Sequence, residues 1–141
     1  MARRHKASEQ HARTRSDHAT ELAEDYVEAI DDFVNARGQC RVTDLAEHFG
    51  VSHVTVNRTV GRLQKGGWVT TEPYAPIELT DEGRRLAAVA RKRHEVVLQF
   101  LMSLGISESV ATIDAEGIEH HVSDETLQAM QRFIDDRRQH G

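Results

Sequence analysis

Apolar residues recur with a helical period over most of the chain, which predicts a mainly α-helical protein. The first such segment covers residues 20–36 and is followed by Gly38, a common helix stop. Its apolar face consists of Tyr26, Val27, Ile30, Phe33 and Val34. By periodicity alone, the acidic stripe on the other side is a solvated face, and its members are Glu21, Asp25, Glu28 and Asp32.

A second long helix is predicted over residues 81–104. Its apolar seam consists of Leu86, Val89, Ala90, Val97, Phe100, Leu101 and Leu104. This helix is longer than a small DNA-binding domain needs for its own core, so we expect it to lead into a dimerisation region. Two shorter helices are predicted beyond it, one over about residues 107–121 and one that starts at the Ser123 cap.

Residues 40–65, CRVTDLAEHFGVSHVTVNRTVGRLQK, have the spacing of a helix-turn-helix. Thr43 is predicted to cap the first helix, Gly50 to form the turn and Ser52 to cap the second helix. Any short helical hairpin would share part of this pattern, so the segment that follows decides the interpretation. That segment, WVTTEPYAPIELT, reads as two short strands around a proline-bounded tip. The sequence therefore predicts a winged helix-turn-helix.

The second helix of this motif carries side chains suited to reading DNA. Asn57 can pair with adenine and Arg58 with guanine, while the methyl groups of its first turn suit thymine. Arg62 and Lys65 lie further along and suit phosphates. The wing has no lysine or arginine, so its own grip on phosphate should be weak, and Trp68 is expected to be core. The predicted DNA-binding residues are Ser52, His53, Val54, Thr55, Asn57, Arg58, Arg62 and Lys65.

Composition limits the class of protein without naming it. The 141 residues, 38% of them hydrophobic, suit one domain or two small subdomains, and no apolar run is long enough to span a membrane. A single cysteine, Cys40, excludes an internal disulfide framework and is compatible with a reducing cytoplasm. The net charge of −5 argues weakly against nucleic acid, but five basic and two acidic residues lie in residues 1–18. We predict a flexible basic arm there, which is either a solubilising tail or a DNA contact. The predicted domains are 1–18, 19–81 and 82–141.

The segment DAEGIEHHVSDE, residues 114–125, groups residues that can ligate metals. At about 100° per residue, Glu116, Glu119 and His120 converge on one helical face, and His121 points away. These groups could bind a divalent metal, act as a general acid and base, or form a hydrated acidic face. His94 lies at the edge of the apolar seam of the long helix, where a histidine is more often simply packed.

The strings AEDYVEAI, RHEVVLQFLMSLGI and DAEGIEHHVSDETL, with the winged helix between the first two, resemble the diphtheria-toxin-repressor family, specifically its manganese-sensing branch. The resemblance covers residues 22–135. It implies a helical metal-binding and dimerisation domain after the winged helix, and a homodimer that binds double-stranded operator DNA when it holds metal. It also implies that this dimer represses metal-transport genes.

The resemblance also implies a ligand set for one or two Mn²⁺ ions per subunit. In iron-sensing relatives, the counterparts of Asp25 and Glu116 are methionine and cysteine, and oxygen in place of sulfur favours a harder ion such as Mn²⁺. The ancillary metal site of those relatives is not expected here, since Leu98 and Thr112 occupy its positions. The implied ligands are Asp25, Glu28, His94, Glu116, Glu119 and His120.

Three alternatives remain at this point. An iron(II)-dependent repressor of the same fold is one, because Fe²⁺ binds most ligand sets more tightly than Mn²⁺ does. A winged-helix regulator of an organic ligand would need an apolar pocket, whereas the candidate site is rich in carboxylates. A metal-dependent hydrolase with Glu119 as base would need a nucleophile or an oxyanion hole, and the sequence has no motif for either. We therefore expect a non-enzymatic, cytoplasmic regulator without an organic ligand.

Overall fold

The computed structural model describes the backbone of residues 2–140 and the side chains of residues 19–140. The chain is mainly helical, as predicted, and it forms two compact units, Met1–Ala90 and Arg91–Gly141, which divide within the long helix. Its elements in chain order are α1 (Ala2–Arg37), α2 (Val42–Phe49), α3 (His53–Lys65), β1 (Val69–Thr70), β2 (Glu78–Leu79), α4 (Asp81–Ser103), α5 (Glu108–Glu119) and α6 (Asp124–His140).

Helix α1 extends further towards the N-terminus than the hydrophobic pattern predicts. We expected it to begin near residue 20 after a flexible arm, but the backbone is helical from Ala2. The residues between positions 2 and 37 include neither glycine nor proline, so nothing in the local sequence interrupts the helix. The apolar period of the sequence starts only near residue 20, which explains why the pattern did not extend the predicted helix towards Ala2. The predicted DNA contact of the basic arm concerns the side chains of residues 1–18, which lie outside the described side chains.

The helix-turn-helix is formed by α2 and α3. Gly50 ends α2 with φ at 65°, a left-handed conformation that suits glycine and supplies the predicted turn. The predicted cap at Thr43 is wrong, because α2 begins at Val42 with Arg41 before it. The carboxylate of Asp44 reaches back and accepts the backbone N–H of Arg41 at 2.9 Å. An acidic side chain of the first turn thus accepts an N–H at the start of the helix that has no partner within the helix, and no hydroxyl cap is present.

Strands β1 and β2 pair antiparallel, with Val69 opposite Leu79 and Thr70 opposite Glu78, so the predicted wing is present. The backbone N–H of Ile77 donates to the carbonyl of Cys40 at 2.8 Å, which ties β2 to the segment before α2. Cys40 is buried, and burial, together with the nearby Asp44 charge, raises the pKa of its thiol to about 12. A neutral, buried thiol of this kind is a core residue rather than a reactive one.

The core of the first unit is built by α1, α2, α3 and the wing. Trp68 packs against it, as expected, and the start of α4 lies directly over the carbonyl of Trp68. A Cβ at Gly83 would lie 2.1 Å from that carbonyl oxygen, so only glycine fits there. The largest members of the core are Tyr26, Ile30, Leu45, Val56, Val60, Leu63, Val69 and Ile77.

The second unit has a separate, smaller core of Val97, Leu101, Ala111 and Ala115, against which Leu127 and Met130 pack. Two residues of the predicted α4 seam, Val89 and Leu104, are instead exposed by 52% and 53%. The rings of Phe100 and Phe133 meet edge to face at 5.4 Å between centroids. Arg137 of α6 donates to the carbonyl of Ser103 at 2.6 Å, so α6 closes over the end of α4.

Candidate nucleic-acid interface and metal centre

Helix α3 separates its packing residues from its exposed residues as a reading helix requires. Val56, Thr59, Val60 and Leu63 are buried in the first unit. The remaining side chains face solvent, and Val54 among them is 66% exposed, so its methyl groups are accessible to a partner. The predicted DNA-binding positions on this face are all exposed: His53, Val54, Thr55, Asn57, Arg58, Arg62 and Lys65.

Ser52 has a structural role at the start of this helix. Its hydroxyl oxygen accepts the backbone N–H of Thr55 at 3.1 Å, which confirms the predicted cap. The hydroxyls of Ser52 and Thr55 are also 3.0 Å apart and hydrogen-bond to each other. These bonds fix the first turn of α3 and satisfy the hydroxyl of the exposed Thr55.

The wing and α3 border one cleft of about 520 Å³, whose lining includes Arg41, Asn57, Gln64 and Tyr74. The wing therefore lies on the same side of the first unit as the reading positions of α3. Between β1 and β2 the wing carries Glu72 and no basic residue. Tyr74, at the tip of the wing, is not among the DNA-binding residues predicted from the sequence. Its position between the prolines at 73 and 76, at the predicted tip, is the signal that could have identified it as a candidate.

In the second unit, three of the predicted metal ligands lie together. Nδ1 of His94 on α4 is 2.5 Å from one carboxylate oxygen of Glu119, at the end of α5. Nε2 of His120 is 3.5 Å from the other oxygen. The side chains of Glu119 and His120 are each only 5% exposed. A carboxylate buried between two imidazoles is stabilised by that contact with polar partners, because a buried, unpaired charge is costly.

Glu116 does not join this trio by direct contact. It lies exposed on α5, one turn before Glu119, and among side chains 19–140 it makes no hydrogen bond or ion pair. Helix α5 ends at Glu119, and the backbone N–H of His121 donates to the carbonyl of Ile118 at 3.0 Å. His121 is exposed beyond this tight last turn, consistent with its predicted direction away from the cluster.

The other two predicted ligands, Asp25 and Glu28, belong to the first unit. Both are half-buried on α1, and Glu21 is too, whereas Asp32 is exposed. The interpretation of this stripe as a solvated face is therefore wrong for three of its four members. Glu24, which the sequence did not distinguish from its acidic neighbours, is only 4% exposed. Helical periodicity gives the direction of a side chain but not what covers it, which is why these carboxylates looked like ordinary surface residues.

Among the described residues, no group of three or more histidine, cysteine, aspartate or glutamate side chains is arranged to hold a metal ion. His94 and Glu119 instead hydrogen-bond to each other. The chemistry of the donors nevertheless fits a divalent cation, because carboxylate oxygens and imidazole nitrogens suit hard and borderline ions. Histidine and glutamate bind a metal ion in their deprotonated forms. A metal ion that binds such a pair therefore replaces the proton of its hydrogen bond.

Comparison with known proteins identifies both units. Residues 18–77 match the iron-dependent repressor N-terminal DNA-binding domain, and residues 80–140 match the iron-dependent repressor metal-binding and dimerisation domain. No helix in the described part of the chain is both long and apolar enough to cross a membrane.

Similar proteins cover most of the chain. The transcriptional regulator MntR of Escherichia coli O6:H1 is 44% identical over 119 residues, which are 84% of this chain and 77% of that protein. MntR of Salmonella typhimurium is 44% identical over 127 residues, or 90% and 79% of the two chains. The HTH-type regulator MntR of Geobacillus kaustophilus is 37% identical over 123 residues, or 84% and 87%.

Solved structures of metal-dependent regulators are also similar to this chain. A manganese-dependent transcriptional repressor in complex with manganese superposes with a TM-score of 0.70 at 29% identity, over 80% of this chain and 52% of that one. The metal-dependent regulator MtsR gives 0.73 at 25% identity, over 80% and 53%. This chain thus spans about half the length of these solved chains. The chain belongs to the diphtheria-toxin-repressor family, in its manganese transport regulator branch.

Proposed function

We propose that the chain is a manganese-dependent transcriptional repressor that binds operator DNA as a homodimer and controls metal-transport genes. The observation that carries this proposal is the buried carboxylate of Glu119 between His94 and His120 in a protein that also exposes a reading helix. The similarity to MntR regulators and to a manganese-dependent repressor supports the choice of metal. The family consists of transcriptional regulators, so the chain is not an enzyme.

The six ligands implied by the sequence remain our proposed set, for one or two Mn²⁺ ions per subunit: Asp25, Glu28, His94, Glu116, Glu119 and His120. Four are carboxylates, which suit Mn²⁺ by hardness, and two are imidazoles, which suit a borderline ion. The carboxylate at position 116 is the residue that argues most directly for manganese over iron. An iron(II)-dependent repressor remains the second candidate, because hard ligands also bind Fe²⁺.

The charges of the ligand side chains would couple metal binding to DNA binding. Bound Mn²⁺ would supply the positive charge that offsets the mutual repulsion of four carboxylates. Asp25 and Glu28 belong to the unit with the reading helix, whereas the other four ligands belong to the dimerisation unit. A metal ion bound by ligands from both units would narrow the range of orientations that the two reading helices of a dimer can adopt. The distance between those helices would then match the distance between successive major grooves. A coupling free energy of about 1–3 kcal/mol suffices for such a response.

For the homodimer, we propose that the outer face of α5 is part of the interface. Ile113 is 74% exposed and Val110 48%, and Gly117 lies one turn further along on the same side. Monomeric proteins seldom leave such apolar side chains grouped in the open. We expect Ile113→Glu to produce a monomer in sedimentation velocity, while the control Gln128→Glu on α6 stays dimeric. A dimeric Ile113→Glu protein would exclude this face.

The proposal requires neither an organic ligand nor a membrane, and it places the chain with chromosomal DNA in the cytoplasm. The test is retention of DNA from a random-sequence library by the full-length protein, with chelator, with Mn²⁺ and with anaerobic Fe²⁺. We expect Mn²⁺ to enrich a palindromic sequence that the chelator arm does not. Equal retention in all three arms would contradict metal-dependent repression, and enrichment with Fe²⁺ alone would favour the iron alternative.

A further inference from the structure

Tyr74, at the tip of the wing, has an unusual conformation and environment. It is the only non-glycine residue with positive φ in the described part of the chain, at 67°. The backbone N–H of Ala75 donates to the carbonyl of Glu72 at 3.0 Å, which closes a four-residue turn with Pro73 and Tyr74 in the centre. Proline followed by a residue with positive φ fits a type II turn, in which glycine or asparagine is usual at the second central position. Tyrosine there is strained.

Packing does not compensate for this strain. The relative exposure of Tyr74 is 101%, so its ring is fully accessible to solvent. Aromatic rings carry a large apolar area, and full exposure leaves the ring and hydroxyl of Tyr74 accessible to a partner. The backbone strain suggests a functional position, and the exposure allows a contact outside this chain.

The tip is also held in place. Nη1 of Arg41, just before α2, donates to the carbonyl of Tyr74 at 3.3 Å. Arg41, Tyr74 and Asn57 of α3 line the same cleft. The wing tip thus lies beside the reading face of α3, within one compact unit. A duplex read by α3 would pass the wing tip.

The charge of the wing limits how it can bind a DNA phosphate. Glu72 is exposed next to the tip, and no lysine or arginine lies between β1 and β2. A phosphate at this place cannot be bound by a cation of the wing, but it can be bound by a neutral hydroxyl donor. The phenolic O–H of tyrosine is such a donor, and its ring can pack against the sugar.

We propose that Tyr74 is a DNA-backbone contact, with its hydroxyl donating to a phosphate and its ring lying against the adjoining sugar, and that Arg41 positions the tip. This inference rests on the proposed function, since it requires DNA on α3. It assigns the wing a sequence-independent role, in contrast to the base-reading role of Asn57.

The test compares full-length variants on the duplex enriched from the random library with Mn²⁺, and on a scrambled duplex of equal length. We expect Tyr74→Phe to weaken binding to both duplexes about tenfold, the scale of a lost hydrogen bond to a charged group. Tyr74→Gly should weaken binding at least as much, yet unfold at an equal or higher temperature, because glycine adopts positive φ without strain. That pairing separates a DNA contact from a fold defect.

Two control variants identify the kind of contact. Asn57→Ala should lower the preference for the enriched duplex over the scrambled one, whereas the Tyr74 variants should leave that preference unchanged. Arg62→Ala should reduce the slope of log K against log salt concentration by about one, whereas the Tyr74 variants should not change it.

The failures can be told apart. If the wild type binds no DNA with Mn²⁺ or Fe²⁺, the proposed function and this inference both fall. If the wild type binds and both Tyr74 variants bind equally well, only the wing contact is wrong. If the Tyr74 variants bind DNA normally but change the oligomeric state, the ring contacts protein, and the inference is overturned.

Discussion

On α3 the proposed functional side chains face solvent, whereas at the end of α5 the central one, that of Glu119, is only 5% exposed. The reading face is complete within its own unit, since its exposed residues need only the buried side of α3 to hold them. Glu119 depends on residues far away in sequence, above all His94 on another helix. The difference indicates that DNA contacts can be changed one by one, while a change at Glu119 affects a group of side chains.

The largest expected effect is that of Glu119→Gln, which keeps the shape of the side chain and removes its charge. The amide still hydrogen-bonds to His94, so the fold should survive, but a metal ligand is weakened. Loss of residues that merely support a metal ligand costs about 10–100-fold in affinity, so we expect at least a 100-fold rise in the Mn²⁺ concentration that half-saturates DNA binding. Fluorescence anisotropy of labelled duplex during a Mn²⁺ titration measures it.

Glu125→Gln, on the exposed first turn of α6, is the matched control and should leave the titration unchanged. An unaltered Mn²⁺ response in Glu119→Gln would remove this residue from the ligand set. The comparison of the two units would then lose its main support, because the buried carboxylate would be only a structural ion-pair partner.

The next effect concerns the fold of the first unit and uses two helical glycines. Gly83→Ala should destabilise the protein by about 1–3 kcal/mol, because the added Cβ would lie 2.1 Å from the carbonyl oxygen of Trp68. Gly61→Ala on α3 meets nothing within 4 Å and should stabilise the helix by up to about 1 kcal/mol. Urea unfolding followed by circular dichroism gives both values. Equal stabilities would mean that the wing does not pack tightly on α4.

The sequence predicted the first unit more fully than the second. The motif of α2, α3 and the wing follows from local signals: Gly50, the Ser52 cap and the strands around the Pro73–Pro76 tip. Errors arose where the local signal was ambiguous. The apolar period starts only near residue 20, so the sequence places the start of α1 there, whereas the helix begins at Ala2. At the start of α2, Arg41 with Asp44 replaces the hydroxyl cap expected at Thr43.

The candidate metal centre was less accessible to pattern alone. Helical geometry brought Glu119 and His120 together correctly, and their side chains are in contact. It could not pair His94 with Glu119, since 25 positions separate them and no periodicity relates two helices. Periodicity alone also assigns Asp25 and Glu28 to a solvated face. Only the resemblance to a family selected these three residues, which is why the full ligand set remains a proposal.

The smallest expected effect is a change of metal preference at Glu116, the one proposed ligand of the second unit that is exposed. Glu116→Cys replaces a hard oxygen donor by a soft thiolate, which favours Fe²⁺ relative to Mn²⁺. We expect the ratio of the two affinities to move towards Fe²⁺ by about tenfold, equivalent to about 1.4 kcal/mol. Anaerobic titrations of DNA binding with each ion measure that ratio, and Asp114→Cys on the same helix controls for an adventitious thiol. An unchanged ratio would mean that ligand hardness at this position does not set selectivity. Because Glu116 is exposed, unlike Glu119, its replacement should change which ion the protein prefers while leaving the buried contacts of the second unit intact.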